Sequence, residues 1–66
     1  MQVEVNGEAK EMCNGTTLGA LVDSLQINRS QMAVELNLQL IPREQIDEHE
    51  LCEGDRVEIV TLVGGG

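Results

Sequence analysis

The dipeptide Asn6-Gly7 constrains the fold of this chain more than any other short motif in it. Residues 1–5 alternate apolar and polar side chains, as half-buried strands do, and the dipeptide follows directly. Asn-Gly accepts the positive φ angles of a two-residue type I′ turn, which joins two antiparallel strands. We therefore predict a hairpin whose second strand runs over residues 8–13, with Met12 facing inward.

A short amphipathic helix is expected after the hairpin. Thr16 or Thr17 can cap it, because a threonine oxygen accepts a hydrogen bond from the first unpaired backbone N–H groups. Gly19 weakens its first turn, and a polar loop over residues 26–31 follows it. The apolar side chains recur at the i, i+3, i+4 and i+7 spacing of one helix face: Leu18, Leu21, Val22 and Leu25.

Three further strands are expected in the second half of the chain. Residues 32–36 predict one strand, and residues 39–41 predict a brief second one that Pro42 ends. Residues 43–46 resemble a single helical turn. Residues 56–63 form the most β-prone run, because valine, isoleucine and threonine dominate it.

The element order β-β-α-β-β-β matches a β-grasp arrangement. This is an α+β fold in which one main helix crosses a mixed sheet of four to five strands. Because 66 residues allow only one small core, we assign a single domain to residues 1–63 and a flexible Gly-Gly-Gly tail to residues 64–66.

The last strand carries apolar side chains on both faces. Val57 and Ile59 share one face, which we expect the helix to cover. Val60 and Leu62 share the other face, and with Val63 they form a candidate docking surface for a partner. The alternative is that another segment of this chain covers them.

Composition excludes several classes of function. The chain has no aromatic residue, and 4 Lys and Arg against 12 Asp and Glu give a net charge of −8. A charge of this sign repels phosphate backbones and anionic lipids, so we expect no nucleic-acid partner and no membrane association. The amino-terminal residues lack the pattern of a signal peptide, which predicts a cytoplasmic location.

The remaining reactive side chains do not form a recognisable site. Cys13 and Cys52 are far apart in sequence, and we expect two small, largely buried thiols with no catalytic role. His49 lies among acidic residues that predict a solvated surface, so we expect no metal site. The chain contains no phosphate-binding loop, so any ATP is used by a partner.

Several segments together resemble the ThiS family, the sulfur carrier proteins of thiamine biosynthesis, which are small ubiquitin-like β-grasp proteins. The resemblance covers essentially the whole chain. Its most specific part is the combination of a Gly-Asp-x-Val-Glu-Ile-Val motif with a Val-Gly-Gly-Gly end. The matching segments are residues 6–7, 16–18, 34–37, 41–43, 53–60 and 63–66.

The resemblance implies a thiocarboxylate at Gly66, with Gly64 and Gly65 as the approach to it. In the family, a ThiF-like adenylating enzyme uses ATP to activate the terminal carboxylate, and a sulfur donor enzyme then replaces AMP. The thiocarboxylate delivers sulfur to thiazole synthase (ThiG). The chain would then be a substrate of its partners, not an enzyme, and would need no cofactor of its own.

The glycine tail suits this chemistry on physical grounds. A carboxylate is a poor electrophile until its oxygen becomes a leaving group, so the tail must enter the nucleotide site of another protein. Glycines have no Cβ, and three of them extend about 10 Å through a narrow channel. The alternative is an end frayed for lack of packing partners.

Three other functions stay open at this point. The small subunit of molybdopterin synthase resembles ThiS in fold and tail, and a ubiquitin-like modifier of lysines is a further relative. A non-carrier acidic interaction module is the alternative from a different class, in which the tail has no role.

Overall fold

The structure is a computed structural model, and it describes residues 1–62. Its regular elements comprise five strands and one α-helix, with two short 3₁₀ helices between them. The elements are β1 (Gln2–Val5), β2 (Glu8–Glu11), α1 (Leu18–Ser24), the first 3₁₀ helix (Arg29–Gln31), β3 (Met32–Leu36), β4 (Gln39–Ile41), the second 3₁₀ helix (Arg43–Glu48) and β5 (Arg56–Thr61).

The strands form one five-stranded sheet in the order β2-β1-β5-β3-β4. β1 and β5 run parallel, and the other neighbouring strands run antiparallel. The predicted mixed sheet with one main helix is therefore confirmed. β5 was expected to reach Val63, but the strand ends at Thr61, and Val63 and the glycine tail lie outside the described residues.

The first hairpin has the predicted turn. Asn6 has a φ of 50° and Gly7 a φ of 86°, as a type I′ turn requires. β2 ends at Glu11, two residues before the predicted end at Cys13. The backbone turns there because the Cys13 carbonyl accepts hydrogen bonds from both the N–H and the hydroxyl of Thr16.

One face of the sheet packs against α1. Thr17 caps the helix by accepting a hydrogen bond from the Ala20 N–H, as predicted. Leu25 is only half-buried, because α1 ends at Ser24. The core is aliphatic, and its buried members are Val3, Val5, Leu18, Leu21, Val22, Met32, Val34, Ile41, Ile46, Leu51, Val57 and Ile59.

The two cysteines contradict the prediction of buried thiols, because Cys13 and Cys52 are both exposed. Each lies in a turn at the edge of the core. Cys13 starts the turn that leads to α1, and the Cys52 N–H donates to the Asp55 carboxylate in the turn before β5. A preference of cysteine for the interior does not outweigh the position of the backbone in a surface turn.

The second 3₁₀ helix is longer than the single turn predicted for residues 43–46, and it packs beside α1. Ile46 is fully buried, and Asp47 accepts two hydrogen bonds of 2.9 Å from the Arg29 guanidinium. Arg29 also binds Asp23 and donates to the Gly19 carbonyl. It thereby joins α1, the first 3₁₀ helix and the second.

Gly19 allows this close approach. A Cβ atom placed at Gly19 would overlap the Asp47 carboxylate and press on the Arg29 guanidinium. The sequence pattern marks this glycine only as a weak point in the helix, whereas the packing gives the reason for it.

We therefore predict that the effect of Gly19→Ala changes sign with the residue at position 47. In the parent chain the free energy of unfolding should fall by about 1 kcal/mol, because the added methyl displaces Asp47 from Arg29. With Asp47→Ala already present, the same change should raise it by about 1 kcal/mol, through the better helix propensity of alanine. Urea unfolding of the four chains measures both values, and stabilisation in both backgrounds would contradict the packing role.

The second hairpin contains a leucine in an unfavourable conformation. Asn37 and Leu38 link β3 and β4 with φ values of 53° and 71°, so Leu38 occupies the position that Gly7 holds in the first hairpin. The left-handed conformation is costly for residues with a Cβ. Leu38 is also 79% exposed, so packing does not compensate.

Leu38→Gly should therefore raise the free energy of unfolding, by about 0.5–1 kcal/mol after the entropy cost of glycine. The matched change, Gly7→Leu, should lower it by about 1 kcal/mol. Chemical unfolding at equal protein concentration compares the two variants. A destabilised Leu38→Gly chain would show that Leu38 makes a favourable contact with its own fold.

Candidate functional site

β5 is the strand from which residues 63–66 continue, and it occupies the centre of the sheet. On one edge it pairs with all five residues of β3, from Leu36 opposite Val57 to Met32 opposite Thr61. The Leu62 N–H extends this ladder by donating to the Gln31 carbonyl at 2.6 Å. The chain is thus held in place up to the last residue that the structure describes.

On its other edge, β5 is held partly by a side chain. β1 pairs with β5 only as far as Val5 opposite Val57, and the chain then turns away at Asn6. The Asn6 amide replaces the missing strand: its Oδ1 accepts from the Ile59 N–H at 2.7 Å, and its Nδ2 donates to the Ile59 carbonyl at 3.2 Å. Asn6 therefore extends the hydrogen bonding of β5 towards the tail.

The start of β5 is held in a similar way by Asn37. Its Oδ1 accepts from the Arg56 N–H at 2.9 Å, and its own N–H donates to the Arg56 carbonyl at 2.8 Å. Its Nδ2 donates to the Asp55 carboxylate at 3.0 Å. The sequence pattern marks Asn6 only as a turn residue, and it predicts no backbone contact for the side chain of either asparagine. These contacts could have been suspected from the residue type, because asparagine in a left-handed turn, unlike glycine, carries an amide that can bind the backbone.

The candidate docking residues lie at the end of β5. Val60 and Leu62 are 59% and 58% exposed and point away from α1, on the face that no described segment covers. The structure therefore brings these two residues together on one surface. Val63, Gly64, Gly65 and Gly66 lie outside the described residues.

Among residues 1–62, two titratable groups have clearly perturbed pKa values, and both belong to the packing of α1. Hydrogen bonding to Arg29 lowers the pKa of the Asp47 carboxyl. The bonds to Asp47 and Asp23 in turn raise the pKa of the Arg29 guanidinium. The shifts arise from the ion pairs that hold the second 3₁₀ helix on α1, so they mark a structural contact.

Cavities in the described part of the chain are shallow. One of about 190 Å³ lies beside Gln2, Glu53 and Gly54, and one of about 220 Å³ lies beside Asn37, Leu38, Gly54 and Arg56. Both are smaller than the pockets of roughly 300–1,000 Å³ that bind small molecules. Both also lie near Gly54, at the opposite end of β5 from Leu62.

Two other kinds of site are absent from residues 1–62. They contain no group of three or more His, Cys, Asp or Glu side chains placed to hold a metal ion. No helix in this range is long and apolar enough to cross a membrane.

Comparison with known families gives a match over almost the whole chain. The model of the ThiS family matches residues 2–66. The sulfur carrier protein ThiS of Escherichia coli is 30% identical over 66 residues, which is 100% of both chains.

Two further relatives extend the comparison. The crystal structure of the thiamine biosynthesis protein ThiS from Geobacter metallireducens superposes with a TM-score of 0.83, at 29% identity and with 100% of both chains covered. A thiazole synthase of Paramagnetospirillum magneticum is 33% identical over 66 residues, which is 100% of this chain but 20% of that protein. This chain thus spans about a fifth of that relative's length.

We predict that Asn6→Gly loosens β5 without changing the turn, because glycine accepts the positive φ of this position. The Ile59 N–H and carbonyl would lose their partner, and the free energy of unfolding should fall by about 1–2 kcal/mol. Amide hydrogen exchange at Ile59, followed by NMR, should accelerate.

Asn14→Gly is the matched control for this variant. Asn14 lies in an exposed turn and makes no side-chain hydrogen bond within residues 1–62. An Ile59 exchange rate that is the same in Asn6→Gly and in the parent chain would contradict the role of Asn6.

Proposed function

The chain belongs to the ThiS family, and on that basis we propose that it carries sulfur for thiamine biosynthesis as a thiocarboxylate on Gly66. The observation that carries the proposal is the match to the family model over residues 2–66, which includes the tail. The end-to-end similarity to the sulfur carrier ThiS of Escherichia coli supports it.

The proposed chemistry takes place at one carbon atom. The Gly66 carboxylate attacks the α-phosphorus of ATP and pyrophosphate leaves, which gives an acyl-adenylate. A sulfide equivalent from a donor enzyme then forms a C–S bond as the C–O bond to AMP breaks. The product is a thiocarboxylate and AMP, with no net oxidation of the carbon.

The activation step belongs to a partner, which we propose is a ThiF-like adenylating enzyme. The two cavities described above are smaller than the pockets that hold small-molecule ligands. An acyl-adenylate also hydrolyses unless water is excluded, and exposed β5 residues beside the tail give no such protection. In this proposal the chain acts as a substrate of other enzymes.

Thiazole synthase is the proposed acceptor of the sulfur. The similarity to a fifth of a thiazole synthase from Paramagnetospirillum magneticum supports this choice. In that protein, a segment similar to this chain is part of the same polypeptide as a thiazole synthase. The relatives compared above favour the thiamine pathway over molybdopterin synthesis, because their names refer to thiamine or thiazole.

Val60, Leu62 and Val63 are the proposed docking residues for the enzymes that receive the tail. Val60 on β5 and Leu62 directly after it are more than half exposed, and β5 is held on both edges. A rigid apolar contact next to the tail would fix the direction in which the glycines leave the domain.

The test is the ATP-dependent gain of sulfur in the last peptide of the chain. The protein is incubated with ATP, a ThiF-like enzyme and a sulfide source, then cleaved after Arg56 and weighed. The fragment of residues 57–66 contains neither Met nor Cys, so methionine oxidation cannot mimic the exchange of oxygen for sulfur. We expect a fragment in which one carboxylate oxygen is replaced by sulfur.

The control is a chain that lacks Gly66. It should gain no sulfur while its unfolding midpoint stays the same, because the described core ends before the tail. Sulfur gain in this truncated chain would show that Gly66 is not the acceptor. No gain in the parent chain, with an enzyme shown to charge another carrier, would contradict the proposed function.

A further inference from the structure

The face of the sheet opposite α1 carries a second feature besides Val60 and Leu62. We call this surface the open face. It is defined by exposed side chains on β3, β4 and β5, together with Leu62 directly after β5: Ala33, Glu35, Leu40, Glu58, Val60 and Leu62.

Two glutamates lie directly opposite each other on the open face. Glu35 of β3 pairs in register with Glu58 of β5, and both side chains are exposed. Opposed residues of antiparallel strands have Cβ atoms about 4.5–5.5 Å apart, and like charges at this spacing destabilise a sheet. The register therefore places two like charges at the middle of this face, where we expect repulsion in the free chain.

No lysine or arginine side chain among residues 1–62 forms an ion pair with either glutamate. Arg56 lies on the same face, but its guanidinium is 3.3 Å from the Glu4 carboxylate. Arg29 binds Asp23 and Asp47, and Arg43 donates to the Arg29 carbonyl. Lys10, the remaining basic residue, is in register with the inward-facing Val3 on β1, on the other face of the sheet.

Apolar side chains flank the two carboxylates. Leu40, which is 65% exposed, lies opposite Glu35 on β4. On the other side, Val60 and Ala33 form the next opposed pair towards the tail, and Leu62 follows them. A protein that covers these apolar groups would also remove water from Glu35 and Glu58, which strengthens the charge interaction and makes an unpaired carboxylate costly.

We propose that the open face docks the adenylating enzyme through a basic side chain, with arginine best suited, that lies over Glu35 and Glu58 between apolar contacts. The inference rests on the proposed function, since the enzyme is the partner that must hold the tail next to Leu62. A guanidinium has donors on more than one edge, so one arginine can bind both carboxylates. Docking relieves the repulsion that the isolated carrier contains.

This arrangement predicts opposite effects on stability and on docking. Removing the two charges takes away a repulsion in the free chain but also removes the partner's binding group. If the glutamates had only a structural role, their removal would not leave the stability of the free chain equal or higher while it weakens binding of the enzyme.

The experiment compares two double variants with the same net charge. Glu35→Gln/Glu58→Gln changes the open face, and the control Glu44→Gln/Glu48→Gln changes exposed residues of the second 3₁₀ helix. Steady-state charging with ATP, sulfide and the ThiF-like enzyme of the same organism gives KM for the carrier and kcat. Thermal unfolding of each free chain is measured in parallel.

We expect KM to rise by about tenfold or more in the open-face variant, with kcat unchanged, and by less than about twofold in the control. The open-face variant should unfold at the same temperature as the parent chain or higher. Its KM should also respond less to added salt, because the screened charge pair is absent.

Three results would overturn the inference. An equal rise of KM in both variants would show an effect of net charge alone, and an unchanged KM would show that the glutamates do not dock. A lower unfolding temperature in the open-face variant would show that Glu35 and Glu58 do not destabilise the free chain. If the parent chain gains no sulfur at all, the proposed function fails as well. If both the parent chain and the open-face variant gain sulfur with the same KM, only the docking contact is overturned.

Discussion

The structure depends on keeping β5 bonded along both of its edges at the centre of the sheet. β3 supplies one full edge, and β1 supplies only two pairs on the other before the chain turns at Asn6. The Asn6 amide completes the second edge at Ile59, and Asn37 holds the strand where it begins at Arg56. Because a buried strand with unpaired N–H and carbonyl groups is costly, these two amides allow short neighbouring strands to support a longer one.

The size of the chain explains why the two faces of β5 differ. One α-helix of seven residues covers a single face, and the buried aliphatic side chains lie between it and the sheet. The second 3₁₀ helix extends that cover, held to α1 through Arg29, Asp47 and the space left at Gly19. No described segment is left to cover the other face, so its apolar residues and the opposed Glu35 and Glu58 stay exposed. A small domain that builds one thin core thus has a whole sheet surface to offer to a partner.

The sequence predicted those features that depend on local chemistry. The Asn6-Gly7 turn, the buried Leu18, Leu21 and Val22 and the bounds of β3 and β4 follow from turn preference and periodicity, and all are confirmed. Contacts between distant segments could not be predicted in this way: the bonds of Asn6 to Ile59, the approach of Asp47 to Gly19 and the exposure of both cysteines are set by the assembled fold. Of the candidate site, the exposure of Val60 and Leu62 is established, and the roles of Val63 and the three glycines stay predictions.

Because the tail is short and follows a fixed strand, it limits how far from Leu62 a partner can act on Gly66. The Leu62 N–H donates to the Gln31 carbonyl at 2.6 Å, so Leu62, from which the tail continues, has a fixed position relative to the open face. Four further residues span at most about 14 Å when fully extended. An enzyme that acts on Gly66 must therefore place its reacting atoms within about that distance of the surface that Leu62 contacts. Docking on the open face and chemistry on Gly66 are then one geometric requirement, because a partner that holds its reacting atoms farther away than this cannot reach the terminal carbon while it contacts Leu62.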